Sequence, residues 1–171
     1  MVKNRIFIAL YILIIFQVSC KKVYDSSDAD IVINELMAIN NSIAADQNGE
    51  YDDWIELFNK TSATIDISGY YLTDSKNNLS KWQMPVGTSI VGNGYLIVWA
   101  DKDTTQTGLH TNFKLSSLGE RVIFLNPHLA IVDQVEYPAQ TLQLSYSRVP
   151  DGTGPFVWQI PTFSSSNDQN K

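Results

Sequence analysis

Apolar residues along this chain fall in short runs that alternate with polar positions, and Gly, Pro, Asn and Asp close the runs. Period-two alternation over four to eight residues marks a half-buried strand, and turn residues at regular spacing mark a protein built of many such strands. The pattern predicts strands near residues 31–39, 54–59, 64–67, 70–73, 95–100, 122–125, 131–137, 145–149 and 156–159. Turn signals between them include Asn48-Gly49, Ser68-Gly69, Gly92-Asn93-Gly94, Asn126-Pro127 and Pro150-Asp151-Gly152. No long stretch places apolar residues at helical spacing between matching caps. The prediction is an all-β sandwich in a single domain.

Alternation also says which side chains share a face. In 95–100, Leu96, Val98 and Ala100 lie on one side of the strand, and Tyr95, Ile97 and Trp99 on the other. The smaller aliphatic set suits a tight core, an assignment that leaves Tyr95 and Trp99 partly exposed as an aromatic platform on which a sugar ring could stack. Alternation alone does not orient the strand, and the reverse assignment is nearly as good.

The first twenty residues follow a different rule. Lys3 and Arg5 precede an unbroken apolar run from 6 to 16, which is too short for a membrane span of roughly 20 residues. A charged start, a short apolar stretch and small residues at Val18-Ser19-Cys20 describe a secretory leader, here residues 1–19. Gln17-Val18-Ser19-Cys20 resembles a bacterial lipobox, in which the Cys becomes the lipidated first residue of the mature protein. Residues 20–30 then read as a polar tether, 31–163 as the folded domain, and 164–171 as a flexible tail without an apolar anchor.

The chain has 171 residues and a formal net charge of −6, with no basic run beyond Lys21-Lys22. Such a surface is poorly suited to phosphate backbones, which argues against nucleic acid as a partner. With one Cys and two His, the sequence offers no intramolecular disulfide, no thiol redox pair and too few soft ligands for a zinc site.

Eight segments in order are similar to the lamin tail domain family. They are Ile31–Ala38, Asp53–Asn59, Asp66–Asp74, Trp82–Pro85, Tyr95–Asp101, Asn112–Leu115 with Gly119-Glu120, Val132–Val135, and Ser147–Gly152. The resemblance spans about residues 30–163. It implies an immunoglobulin-like β-sandwich without catalytic activity, a domain that in bacteria often accompanies hydrolases or membrane-associated proteins as an interaction or attachment module.

Three residue groups merit a chemical reading. Glu35 and Glu56, within apolar strand segments, could act as a carboxylate pair in hydrolysis, or could simply accept hydrogen bonds from neighbouring loops. Asp46, Asn48, Glu50, Asp52 and Asp53 crowd one loop around Gly49 and could wrap a calcium ion or merely solvate a turn. His110 and His128 lack Ser or Cys at any nucleophile spacing. The expectation is therefore a non-enzymatic protein with no cofactor beyond the lipid on Cys20. It would be anchored in the bacterial envelope and present its domain to an envelope protein or polysaccharide. Lys21 after the Cys is not an Asp-type retention signal, which favours the outer membrane.

Overall fold

The computed structural model describes residues 29–140 and 143–170, the side chains of 169 and 170 excepted. Among these residues the strands are β1 (Ile31–Met37), β2 (Trp54–Asn59), β3 (Ile65–Asp66), β4 (Tyr71–Thr73), β5 (Trp82–Gln83), β6 (Ser89–Ile90), β7 (Tyr95–Trp99), β8 (Gly119–Leu125), β9 (Ile131–Pro138), β10 (Ser145–Arg148) and β11 (Phe156–Gln159). A five-stranded sheet runs β11-β10-β1-β2-β7 and a four-stranded sheet runs β5-β4-β8-β9, with β3 and β6 forming a small ribbon. Every strand pairing is antiparallel. All nine strands expected from the pattern form; the two-residue β5 lies in the Trp82–Pro85 segment that carries the family resemblance, and β6 is an addition. Two residues carry no periodicity to read.

Strand β8 starts earlier than its apolar residues announce. Gly119 opens it at φ +92°, where a Cβ would lie 2.6 Å from the Tyr137 carbonyl oxygen, so only Gly lets the two backbones approach. Polar Glu120 and Arg121 then extend the ladder. Arg121 sits opposite Glu136 and donates a hydrogen bond to its carboxylate.

Strand β1 contains the decisive irregularity. Its register shifts between Ile33 and Glu35, a bulge that reverses side-chain parity. Ile31 and Ile33 point into the core before the bulge, and Leu36 and Ala38 after it. Without the bulge, Glu35 and Met37 would face the core. With it, both turn to the outer face of the five-stranded sheet.

The core fills the space between the sheets with Ile33, Leu36, Ile55, Leu57, Leu72, Val98, Phe113, Val122 and Phe124, all fully buried. An ion pair crosses it. Arg148 on β10 reaches both oxygens of Asp133 on β9 at 3.0 and 3.1 Å and donates Nε to the Ile33 carbonyl at 2.9 Å. Asp133 Oδ2 in turn accepts the Ile33 N–H at 2.8 Å. These two side chains satisfy the backbone groups at the bulge and tie the two sheets together.

The C-terminal segment departs from expectation. Rather than fraying from residue 164, it docks on the outer face of the five-stranded sheet and ends in a 3-10 turn, Asn167–Asn170. Asn167 is 1% exposed. Its amide donates to the Asn34 and Arg148 carbonyls at 3.2 and 3.0 Å. Polar composition suggested solvent; here the polar groups serve buried acceptors instead.

Candidate functional site

The outer face of the five-stranded sheet carries Glu35, Glu56, Tyr95 and Trp99, four of the residues singled out for chemistry. Glu35 and Glu56 are direct cross-strand partners on β1 and β2, so the bulge places two carboxyl groups side by side. Both residues are 0% exposed. Glu35 accepts the Thr162 N–H at 3.0 Å, the Thr162 hydroxyl at 2.8 Å and the Ser145 hydroxyl. Glu56 accepts the Ser164 N–H at 2.7 Å and the Asn34 amide at 3.0 Å. The hydrolase reading of this pair is thereby corrected. Neither carboxylate is open to a substrate, and both act as acceptors for the neighbouring segments.

Burial, then the charge of Glu35, pushes the Glu56 carboxyl up to about 8, against the pull of Asn34 and Ser164. Burial also raises Glu35, opposed by Ser145 and Thr162. At neutral pH the pair holds a proton.

The aromatic platform is corrected too. Leu96, Val98 and Ala100 do face the core, but Trp99 is 6% exposed. Phe163 from the C-terminal segment covers it at 5.6 Å between ring centroids and meets Trp54 edge-on at 5.2 Å. Tyr95 stacks on Phe58 at 4.8 Å and donates its hydroxyl to Asp151 at 2.8 Å. Burial, then Asp151, raises the Tyr95 phenol. Alternation grouped these side chains but left open which group meets the core, and the core takes the aliphatic one. Nor does alternation carry any information about Phe163, 64 positions beyond Trp99, which lies over it.

Sequence reasoning missed the polar hub beneath that segment. Asp151 accepts from Asn34 (2.9 Å), Tyr95 (2.8 Å), Ser166 (2.6 Å) and the Asn167 N–H (3.1 Å). Asn34, the bulge residue, also accepts the Gly152 N–H at 2.9 Å. Pro150-Asp151-Gly152 reads in sequence as an ordinary turn, and no spacing signals that its acid binds four distant groups.

Of the acidic loop, the structure gathers Asp46, Glu50 and Asp52, each offering a carboxylate oxygen within 4.8 Å of the others. Asn48 contributes its N–H to Asp46 Oδ1 at 2.8 Å. Asp53 belongs to a different environment: burial lifts its carboxyl to about 7, opposed by Lys114 and the Leu115 backbone. His110 is 3% exposed, and both ring nitrogens are taken, Nδ1 by Asp101 at 2.5 Å and Nε2 by Gln47 at 2.8 Å. Cys20 and the leader lie outside the described residues. Among the described residues, no helix is long and apolar enough to cross a membrane.

Two antiparallel sheets packed over one core, with the order and register above, define an immunoglobulin-like β-sandwich. The chain belongs to the lamin tail domain family, whose model, described as Lamin Tail Domain, matches residues 25–139. That family is one of non-enzymatic, immunoglobulin-like domains. The match covers β1 to β9; β10, β11 and the docked C-terminal segment follow it. Comparison with curated proteins finds no match.

Proposed function

We propose that this protein is a non-enzymatic binding or structural module, held at the bacterial cell envelope by lipid on Cys20 and presenting its lamin tail domain to a protein or surface-polymer partner. The observation that carries the non-enzymatic reading is the state of the acid pair. Glu35 and Glu56 are 0% exposed, and donors from Asn34, Ser145, Thr162 and Ser164 occupy their oxygens. The anchoring reading rests on the leader pattern and the lone Cys at its end. Two or three acyl chains on one residue hold a protein at a bilayer far more firmly than one.

A presented domain needs a surface on which to receive a partner. Strand β11 ends the five-stranded sheet, and its Val157 is 40% exposed. An end strand is the ordinary place for a sheet to accept another chain. The test uses the full chain in a bacterial host that processes lipoproteins. Wild type is expected in the membrane fraction and Cys20→Ser in the soluble or unprocessed pool. Cross-linking in the intact envelope should then capture a partner whose yield falls in Val157→Lys. A Cys20→Ser protein that remains membrane-bound and normally cut refutes the anchor.

A further inference from the structure

The β1–β2 loop is folded around a carboxylate that its own hydrogen bonds leave half used. Asp46 Oδ1 accepts the Asn48 and Glu50 N–H groups at 2.8 and 2.9 Å, and the Asp46 N–H closes the turn on the Glu50 carbonyl at 2.9 Å. Asp46 is only 8% exposed, yet its Oδ2 is buried without a hydrogen-bond partner. A buried carboxylate oxygen normally has a donor or a cation. Two more carboxylates, Glu50 and Asp52, share the loop, and one oxygen of each of the three residues lies within 4.8 Å of the others.

The neighbouring loop supplies a second oxygen of the same kind. Gln106 donates Nε2 to Glu50 Oε2 at 2.6 Å and to Asp103 Oδ2 at 3.2 Å, which leaves Gln106 Oε1 buried and unpartnered. The local field is negative: after burial, Asp101, Glu50 and Asp46 all raise the Asp52 carboxyl, and Lys114 opposes them. The two orphaned oxygens thus belong to side chains on separate loops that are both hydrogen-bonded to Glu50, Asp46 at its N–H and Gln106 at its carboxylate.

We infer that this loop pair is a calcium site, with Asp46, Glu50 and Asp52 as carboxylate ligands and Gln106 Oε1 as a carbonyl ligand. The donor set is entirely oxygen, which selects a hard cation over zinc or copper. Calcium tolerates irregular geometry and six to eight ligands, water completing the shell, whereas magnesium demands a near-ideal octahedron. Bound calcium would satisfy Asp46 Oδ2 and cancel the repulsion among three acids. It would also clamp the β1–β2 loop to the β7–β8 loop.

The test compares melting temperatures of the full-length protein in EDTA and in 10 mM CaCl2, MgCl2 or ionic-strength-matched KCl. An affinity in the sub-millimolar range typical of extracellular modules gives a rise of about 3–8 °C with calcium. Terbium should bind in its place and luminesce when Tyr51, between two of the ligands, is excited. Asp46→Asn retains the turn-forming Oδ1 and offers an amide to Glu50 and Asp52. In EDTA it should melt no lower than wild type, which separates lost binding from lost folding. Both Asp46→Asn and Asp52→Asn should lose the calcium shift and the terbium signal. No calcium shift in wild type, an equal shift in KCl or MgCl2, or a shift retained in both variants would overturn the assignment.

Discussion

Replacing Glu56 by Gln should flatten the pH dependence of stability between about pH 5.5 and 7.5. Glu56 is buried at 0% exposure beside Glu35, and its carboxyl is lifted from 4.5 to about 8 by burial and by that neighbour. A folded-state pKa above the unfolded one means that the native protein holds a proton the unfolded chain has released. The contribution is therefore complete below about pH 4.5 and is lost as pH rises through about 8. One proton taken up across that window corresponds to a slope of about 1.4 kcal/mol per pH unit, or about 3 kcal/mol between pH 5.5 and 7.5. Gln cannot titrate, so this component disappears. Gln also turns an amide toward either Asn34 or Ser164, both donors, at a cost of about 1–2 kcal/mol near pH 5. The informative quantity is thus the slope rather than the stability at one pH. Urea unfolding followed by tryptophan fluorescence at four pH values gives it directly. A wild-type protein equally stable at both ends of the window, or a variant with an unchanged slope, would refute the reasoning.

Other perturbations probe the rest of the frame. Phe163→Ala uncovers Trp54 and Trp99, and should cost about 2–3 kcal/mol and red-shift the tryptophan emission. Arg148→Ala strands Asp133, whose side chain is 0% exposed, at an expected cost of about 3–5 kcal/mol; the double variant with Asp133→Ala should recover part of that loss in denaturant melts. Gly119→Ala forces a Cβ to within 2.6 Å of the Tyr137 oxygen at φ +92°, and should lower stability by about 2 kcal/mol or more in the same assay.

Much of this fold is legible in the sequence because each layer of the sandwich obeys a period of two. The alternation in 95–100 correctly puts Leu96 and Val98 on one face, without deciding which face meets the core, and the ordered motifs lead to the family that the comparison establishes. What escapes sequence reasoning has physical causes. The bulge at Asn34 breaks the parity of β1, so Glu35 reads as either inward or outward until Asp133 and Arg148 are seen to hold the backbone there. Strands β5 and β6 are too short to show a period. Residues 164–168 are polar and look solvated, yet the Ser164 N–H meets Glu56, and Thr162 just before them meets Glu35, acids that lie over 100 positions away in the chain. Phe163 and Ser164 accept left-handed backbone angles, φ 35° and 60°, in doing so. A segment held against such a local preference is one fixed by its contacts.

The central claim is that the C-terminal segment seals the acid pair, so that these carboxylates serve the fold rather than a reaction. Residue-resolved amide hydrogen exchange tests it most directly. The Thr162 and Ser164 N–H groups, bonded to Glu35 and Glu56 at 3.0 and 2.7 Å, should exchange about a thousandfold or more slower than in an unstructured peptide near pH 6. Exchange of both amides at the unprotected rate, with β1 and β2 remaining protected, would mean an open face and would contradict the account.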